Sequence, residues 1–211
     1  MTNRHTSLTA LGCALAIGLY AVAPTTATSQ DVAPSPLRLM SSRVSLAGTS
    51  NIHAYTASST AARVVRLKVA GGVLGEHVWE EILKPGALEA FEISIPAATL
   101  SSPKEGLDKN MHKALKVTEH PEITFRLSRL EGADASGALR GVGILKIAGV
   151  EREVTLALKT LRTEANLTVT GEVQLLMTDF GITPPKAMLG MLKTDPKVTV
   201  TFETVLGIPL T

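Results

Sequence analysis

The side chains most able to do chemistry in this chain are its histidines, and their spacing argues against a reactive site. His112 and His120 lie on either side of a predicted helix end, and His53 is far away in the sequence. No H-x-H, H-E-x-x-H or paired-cysteine pattern accompanies them, so we expect them to face solvent or to form local hydrogen bonds rather than to bind a metal. Asp179 is expected to accept backbone N–H groups in a turn. The sequence therefore predicts no catalytic residue, no metal site and no cofactor.

The only cysteine, Cys13, lies in an apolar run over residues 8–23 that follows a short basic N-terminus. The run has the length of the apolar part of a secretory signal. It is shorter than the roughly 20 residues that a membrane-spanning helix needs. We predict a cleaved signal peptide over residues 1–28, and hence a periplasmic or secreted protein with no stable membrane insertion and no disulfide. The alternatives are a lipoprotein that is acylated at Cys13 and an uncleaved membrane anchor.

The rest of the chain has the composition of a globular domain without a strong charge. Apolar residues make up 45% of the sequence and charged residues 19%, which is far from the composition of disordered proteins. Basic and acidic residues nearly balance and neither forms a long run, so nucleic acid is not a predicted partner. We expect a flexible lead over residues 29–36 and one domain over residues 37–211, with a homodimer left open.

Alternating apolar and polar residues predict strands along most of this domain. The clearest run is 167–177, where Leu, Val and Met occupy most odd positions while Thr, Glu and Gln occupy even ones. Gly141 and Gly143 interrupt another strand and predict a bulge or a sharp bend. The connections are short and the strands do not alternate with helices, which favours an all-β barrel or sandwich.

One helix is predicted beside these strands. Ser102 and Glu105 have the spacing of a capping box, and Pro103 suits the first helical position. The helix should end before His120, because the proline that follows this histidine disfavours helical geometry there. The segment 73–86 is expected to be strand or loop. Residues 77–83 could be helical, but Val78 and Ile82 alone make a thin apolar stripe.

Three stretches of this chain, in this order, resemble the YceI-like family. They are GLDKNMHKALKVTEHPEITFRL from Gly106, GVGILKIAGVEREVTLAL from Gly141 and LTVTGEVQLLMTDFGI from Leu167. The resemblance implies an all-β fold, an extended eight-stranded antiparallel lipocalin-like barrel with one short α-helix, exported to the periplasm. It also implies that the barrel holds a polyisoprenoid or similar long-chain lipid. Residues 108–113 lack the Arg-Asp pair of many relatives, so no head-group contact is transferred to them.

The predicted ligand-binding residues are those that strand parity and the resemblance place inside the barrel. Parity turns the following side chains inward: Phe91, Ile93, Phe125, Val169, Val173 and Phe202. Met111 and Leu115 on the helix should abut or cap the interior, and Leu156, Met177 and Phe180 complete the set. The apolar segment 184–192 is longer than the usual hairpin of the family. Its Met188, Leu189 and Met191 are predicted to form a lid at the mouth or, alternatively, to pack against the barrel end.

The sequence leaves three functions to compare. The first is a carrier or reservoir for an isoprenoid-type lipid, polyprenyl or quinone-like, and the low aromatic content of 3% favours an incompletely filled interior. The second is a lipid-processing enzyme, which would need an ionisable inward group, yet no odd position from Leu167 to Met177 is charged. The third is an interaction module that docks a membrane protein through segment 184–192. We predict the carrier or reservoir, without enzymatic activity.

Overall fold

One antiparallel sheet contains most of the chain. The structure, a computed structural model, describes residues 37–70, 78–132, 139–187 and 191–208, and all of these belong to the unit Pro34–Thr211. The predicted signal peptide over residues 1–28 and the lead over residues 29–36 lie outside the described residues.

The sheet contains ten strands in the described residues. Their bounds are β1 Arg38–Ser50, β2 Ala54–Ser59, β3 Arg63–Val69, β4 Leu88–Pro96, β5 Glu122–Glu131, β6 Leu139–Ile147, β7 Val150–Arg162, β8 Asn166–Leu176, β9 Lys186–Ala187 and β10 Leu192–Gly207. The order is β2-β1-β10-β8-β7-β6-β5-β4-β3, with β9 paired to β10 alone. The predicted all-β antiparallel fold is confirmed. The predicted number of eight strands is wrong, in part because β9 is too short to show any alternation.

A tight turn joins β6 to β7, and a bulge interrupts the pairing of β5 with β6. β6 and β7 are joined by Ala148 and Gly149, which have positive φ values of 48° and 84° and form the kind of two-residue turn that suits a twisted hairpin. The pairing of β5 with β6 slips between Leu127 and Arg129, opposite the two glycines of β6. The predicted bend at these glycines is therefore confirmed, with the extra residue carried by β5.

The outer strands of the path, β2 and β3, are not hydrogen-bonded to each other in the described sheet. A segment that leads into α2 (Glu105–Ala114) lies along the free edge of β2 instead. Ser58 and Ser101 exchange two backbone bonds there, of 2.8 and 3.0 Å. Met111 of α2 then packs with buried Ala57 and Leu100. The helix thus covers one end of the curled sheet.

α2 begins later than predicted, and Ser102 is not its cap. The residue before the helix is Lys104, and it makes no side-chain capping bond. The Ser102 hydroxyl accepts the Lys104 N–H at 3.1 Å and donates to the Lys104 carbonyl at 3.0 Å, which forms a local turn. The Ser102 N–H donates to Asp108 Oδ1 at 2.8 Å. The helix ends at Ala114, before His120 as predicted.

A second helix, α1 (Val78–Ile82), occupies part of the segment that was predicted to be strand or loop. Val78, Trp79 and Ile82 are buried, with Ile82 only 1% exposed. Trp79 adds a third buried apolar side chain to this short helix. The sequence prediction counted only the aliphatic residues Val78 and Ile82 and therefore missed the helix. In the part of the chain that the structure describes, no helix has the length and apolar character needed to span a bilayer.

Candidate ligand-binding site

The inner face of the curled sheet borders a cavity of about 810 Å³. This volume lies in the range of small-molecule sites, about 300–1,000 Å³. Every residue of the predicted ligand-binding set lines the cavity: Phe91, Ile93, Met111, Leu115, Phe125, Leu156, Val169, Val173, Met177, Phe180 and Phe202. The structure thus brings these side chains together, while their binding of a lipid stays a prediction.

Cross-strand pairing explains why these side chains share one cavity. Val173 in β8 lies opposite Val200 in β10, which lies opposite Leu46 in β1. Directly paired residues face the same side of a sheet, so the whole row turns inward together. All three are only half-buried, because they border open space instead of packing against the opposite wall.

Two phenylalanine rings lie close against the cavity wall because each covers a glycine. A Cβ atom on Gly143 would come within 2.5 Å of Phe125 Cζ, and one on Gly171 would come within 2.5 Å of Phe202 Cζ. Such distances are shorter than carbon atoms tolerate, so only glycine permits these ring positions. The rings therefore occupy space at the wall, and the middle of the cavity stays open.

The cavity is closed at the end where α1 lies. A buried cluster fills that end, formed by Leu37, Val78, Trp79, Ile82, Ala87, Leu167 and Leu206. Ile82, Leu167 and Leu206 also line the cavity, so the cluster is its floor. Trp79 Nε1 donates to the carbonyl of Glu164 at 3.4 Å, which satisfies the one polar atom of the indole.

The cavity opens to solvent beside α2. Its lining there includes exposed residues, namely His53, Lys104, Gly106, Asn110 and Lys186. At the α1 end the lining residues are buried or half-buried. A slender apolar molecule that enters beside α2 would therefore extend toward α1.

The predicted lid segment 184–192 reaches this opening, but Met191 does not line the cavity. The Met191 side chain is 66% exposed, and its carbonyl accepts a hydrogen bond of 2.9 Å from Asn51 Nδ2. Met188 and Leu189 lie outside the described residues. A lid role for these three residues remains a prediction.

Few polar side chains reach the cavity, and one of them is unsatisfied. The hydroxyls of Ser42 and Thr204 are buried and hydrogen-bonded to each other at 3.2 Å. The Tyr55 hydroxyl is buried and has no hydrogen-bond partner among the described residues. Burial raises the pKa of the Tyr55 phenol above its ordinary value of 10.0, and the Asp195 carboxylate raises it further. The sequence prediction omitted Tyr55, although its parity with Ala57 on β2 is the pattern that turns both inward.

The three histidines considered in the sequence do not meet. His112 Nε2 lies 2.8 Å from the carbonyl of Leu100, His53 is exposed, and the His120 ring packs over Gly149. The predicted local or solvent-facing roles of His112 and His53 are confirmed. Among the described residues, no three His, Cys, Asp or Glu side chains are grouped as a metal site requires.

Asp179 lies exposed in the 3₁₀ turn Met177–Phe180. None of the hydrogen bonds among the described residues involves its carboxylate, so the predicted contact with backbone N–H groups is wrong. Main-chain bonds close the turn instead, with the Ile182 N–H donating to the Met177 carbonyl at 3.0 Å. Gly181, at a φ of 66°, ends the turn in a conformation that glycine adopts without strain.

Comparison with known proteins finds one family and several similar structures. The model of the YceI-like domain matches residues 43–206, more than half of the chain. BcnA from Burkholderia cenocepacia is similar with a TM-score of 0.60 and 16% identity, covering 78% of this chain and 95% of its own. A polyisoprenoid binding domain from Saccharophagus degradans has a TM-score of 0.60 and 11% identity, covering 82% of this chain and 99% of its own. The YCEI protein of Campylobacter jejuni has a TM-score of 0.52 and 13% identity, covering 71% of this chain and 82% of its own. No curated protein sequence matches.

Proposed function

The chain belongs to the YceI-like family, and from that premise we propose that it binds a long-chain isoprenoid-type lipid, polyprenyl or quinone-like, as a carrier or reservoir. The observation that carries this proposal is the apolar cavity of about 810 Å³, closed at α1 and open beside α2. An opening beside α2 suits a linear molecule whose tail is buried and whose head remains near that opening. The polyisoprenoid binding domain of Saccharophagus degradans, which is similar in fold, supports the same ligand class.

The driving force in this proposal is the burial of hydrocarbon. Each CH₂ group removed from water contributes about 0.8 kcal/mol. Once the chain is short enough to lie wholly inside the cavity, removal of one further isoprene unit should therefore weaken binding by at least roughly tenfold. A change of head group should matter less, because few polar atoms line the wall.

Binding without catalysis fits the side chains around the cavity better than an enzyme does. The charged lining residues, Lys104 and Lys186, are exposed and lie at the opening. The deep wall is aliphatic and aromatic, apart from the hydroxyls of Ser42 and Thr204, which satisfy each other. A carboxylate or imidazole poised to transfer a proton would have to lie beside the buried chain, and general acid–base chemistry needs such a group within hydrogen-bond reach.

Export to the periplasm is part of the proposal. The apolar run over residues 8–23 after a basic N-terminus supports a signal peptide. The intact mass of the protein from its own host should correspond to a chain that begins between residues 28 and 30. A chain that keeps residues 1–23, or one with acyl groups on Cys13, would contradict cleavage of a signal peptide.

Lipid extraction tests the ligand class. The protein is purified from its own host without detergent, washed, extracted with organic solvent and analysed by mass spectrometry, with the final wash as the control. We expect a lipid with an isoprenoid chain in the extract and not in the wash. An extract without lipid, or with a lipid that has no isoprenoid chain, would contradict the proposal.

A further inference from the structure

Tyr55 places a buried polar atom near the open end of the cavity. On β2 it lies opposite Gly48 of β1, which in turn lies opposite Val198 of β10. Paired residues share a face, so Tyr55 points inward with Val198, and both line the cavity. Val198 lies in the half of β10 that begins at Leu192. Tyr55 follows the exposed lining residue His53 by two positions, so the row lies toward the open end.

The Tyr55 hydroxyl has no partner in the described part of the chain, although it is buried. Buried polar groups in native proteins are nearly always hydrogen-bonded, and an unpaired one lowers stability. Ser42 and Thr204, the buried hydroxyls deeper in the same cavity, follow that rule by bonding to each other. Tyr55 departs from it at the point where the head of a bound lipid would lie.

Gly48 determines where this hydroxyl is held. A Cβ atom on Gly48 would collide with Oη and Cζ of Tyr55 and would lie 3.0 Å from its Cε1. All three of the nearest atoms belong to Tyr55, so the space that a side chain at residue 48 would fill is occupied by the Tyr55 ring. The phenol is thus held against the wall with its hydroxyl fixed in position and without a partner.

The surroundings of the hydroxyl favour a protonated phenol and an uncharged neighbour. Burial, followed by the Asp195 carboxylate, raises the pKa of Tyr55. The phenol therefore carries its proton at neutral pH and can donate it in a hydrogen bond. An anionic head group beside the same hydroxyl would be repelled by Asp195. Lys104 and Lys186 line the exposed opening, but Asp195 is the charged group that contributes to the raised pKa of Tyr55.

We propose that Tyr55 donates a hydrogen bond to an uncharged oxygen, a hydroxyl or a carbonyl, at the head of the bound isoprenoid lipid. This inference rests on the proposed function, because it assumes that a lipid occupies the cavity. It adds the chemistry of the head group, which the apolar lining leaves undetermined.

The test compares Tyr55→Phe with the unmodified protein, using phytol, an isoprenoid alcohol, and phytane, its hydrocarbon counterpart. Phytyl phosphate, the anionic counterpart, is the third probe. The substitution removes one oxygen and keeps the ring over Gly48. One hydrogen bond accounts for roughly a three- to tenfold change in affinity. We expect phytol to bind Tyr55→Phe about that much more weakly and phytane to bind both proteins equally. Thr49→Val is the matched control, since Thr49 follows Gly48 on β1, is exposed and does not line the cavity. It should change neither affinity.

The outcomes separate this inference from the proposed function. Equal binding of phytol to both proteins, or an equal loss for phytol and phytane, would overturn the role of the hydroxyl and leave lipid binding intact. Tighter binding of phytyl phosphate than of phytol by the unmodified protein would overturn the choice of an uncharged head group. Failure of all three probes to bind the unmodified protein would contradict the proposed function itself. The melting temperature of the lipid-free protein should not fall in Tyr55→Phe, because the lost hydroxyl had no partner, and a clear fall would point to a structural role.

Discussion

Single glycines determine how much room the cavity has. Phe202 lies against Gly171 in the neighbouring strand, and Phe125 lies against Gly143. In each case the ring takes the place that a side chain would otherwise occupy. Replacement of such a glycine must move the ring, and the open side available to it is the cavity. These small residues therefore matter for capacity as well as for the curvature of the sheet.

Gly171→Ala should reduce both lipid capacity and stability. The new Cβ would come within 2.5 Å of Phe202 Cζ and 3.1 Å of the Ala157 carbonyl oxygen, so the ring is expected to swing into the cavity. Such overpacking costs about 1–3 kcal/mol. For a chain of this size, each 1 kcal/mol lowers the melting temperature by about 2–4 °C. Thermal melting and quantification of retained lipid measure the two effects.

Gly106→Ala is the control for this substitution, because nothing lies within 4 Å of a Cβ at that position of α2. It should leave the melting temperature unchanged or raise it slightly, since alanine favours helix over glycine by about 1 kcal/mol. An unchanged melting temperature and full lipid retention in Gly171→Ala would mean that Phe202 does not need this glycine.

Tyr55 should make stability depend on pH in the alkaline range. Its pKa is raised in the folded protein by burial and by Asp195. Below about pH 10 the phenol is protonated in both the folded and the unfolded chain, so its ionisation takes nothing from the stability of the protein there. Above that pH the unfolded chain loses the proton first, and stability falls. Denaturant unfolding across this range should show a steeper loss for the unmodified protein than for Tyr55→Phe. The two proteins differ only at residue 55, so parallel curves would contradict a raised pKa of Tyr55.

At the scale of elements, the start of α2 is fixed by a hydrogen bond that the local sequence pattern does not predict. Its first residue has no side-chain cap, and the link to the preceding segment is Asp108 Oδ1, which accepts the Ser102 N–H at 2.8 Å. A carboxylate in the first turn also interacts favourably with the partial positive charge of the helix N-terminus. This contact fixes the segment that covers the edge of β2, and with it the rim of the cavity.

Asp108→Ala should therefore destabilise the protein by about 1 kcal/mol, through the lost hydrogen bond. Asp108→Asn keeps an oxygen in the same place and should lose less. The free energy of unfolding from denaturant titrations compares the two variants. A smaller loss for alanine than for asparagine would show that the oxygen of residue 108 does not hold the helix start.

How well the elements could be predicted depended on their length and their partners. Strand β8 spans many residues with one face toward the cavity, so its alternation in the sequence was unmistakable and placed Val169 and Val173 correctly. α1 has five residues, too few for a helical period to stand out, and it exists because the core buries Trp79. The start of α2 depends on the hydrogen bond between Ser102 and Asp108, which are six residues apart. The capping-box pattern compares residues only three apart and so does not detect this bond. The contacts that decided these cases are tertiary, and local spacing does not contain them.

At the scale of the whole molecule, the cavity follows from a curled sheet whose inner face is lined by medium-sized side chains. The rows that cross β8, β10 and β1 carry valine and leucine, and the phenylalanines lie at the wall. The interior is therefore wide enough to stay open, while α1 and its buried cluster close one end. The inward faces of the strands could be predicted from alternation, and all predicted lining residues were found in one cavity. The depth of the cavity and its closed floor could not be predicted from the sequence, because they depend on how far the sheet curls.

The central claim is that the lipid lies inside the sheet, and the most direct test is the amount of lipid retained by Val173→Trp. Val173 lines the cavity, so an indole at this position should fill the middle while the fold is kept. Gln174→Trp is the matched control, because Gln174 is the next residue of β8 and is exposed. Each protein is purified identically, checked by circular dichroism and thermal melting, and extracted for mass spectrometry.

We expect Gln174→Trp to retain as much isoprenoid lipid per protein as the unmodified chain, and Val173→Trp to retain at most a small fraction of it with a similar circular dichroism spectrum. Should Val173→Trp lose its fold, the interior would have no space for the indole and the cavity would be contradicted. Equal lipid from Val173→Trp and Gln174→Trp, with both folded, would place the lipid outside the sheet and contradict the central claim.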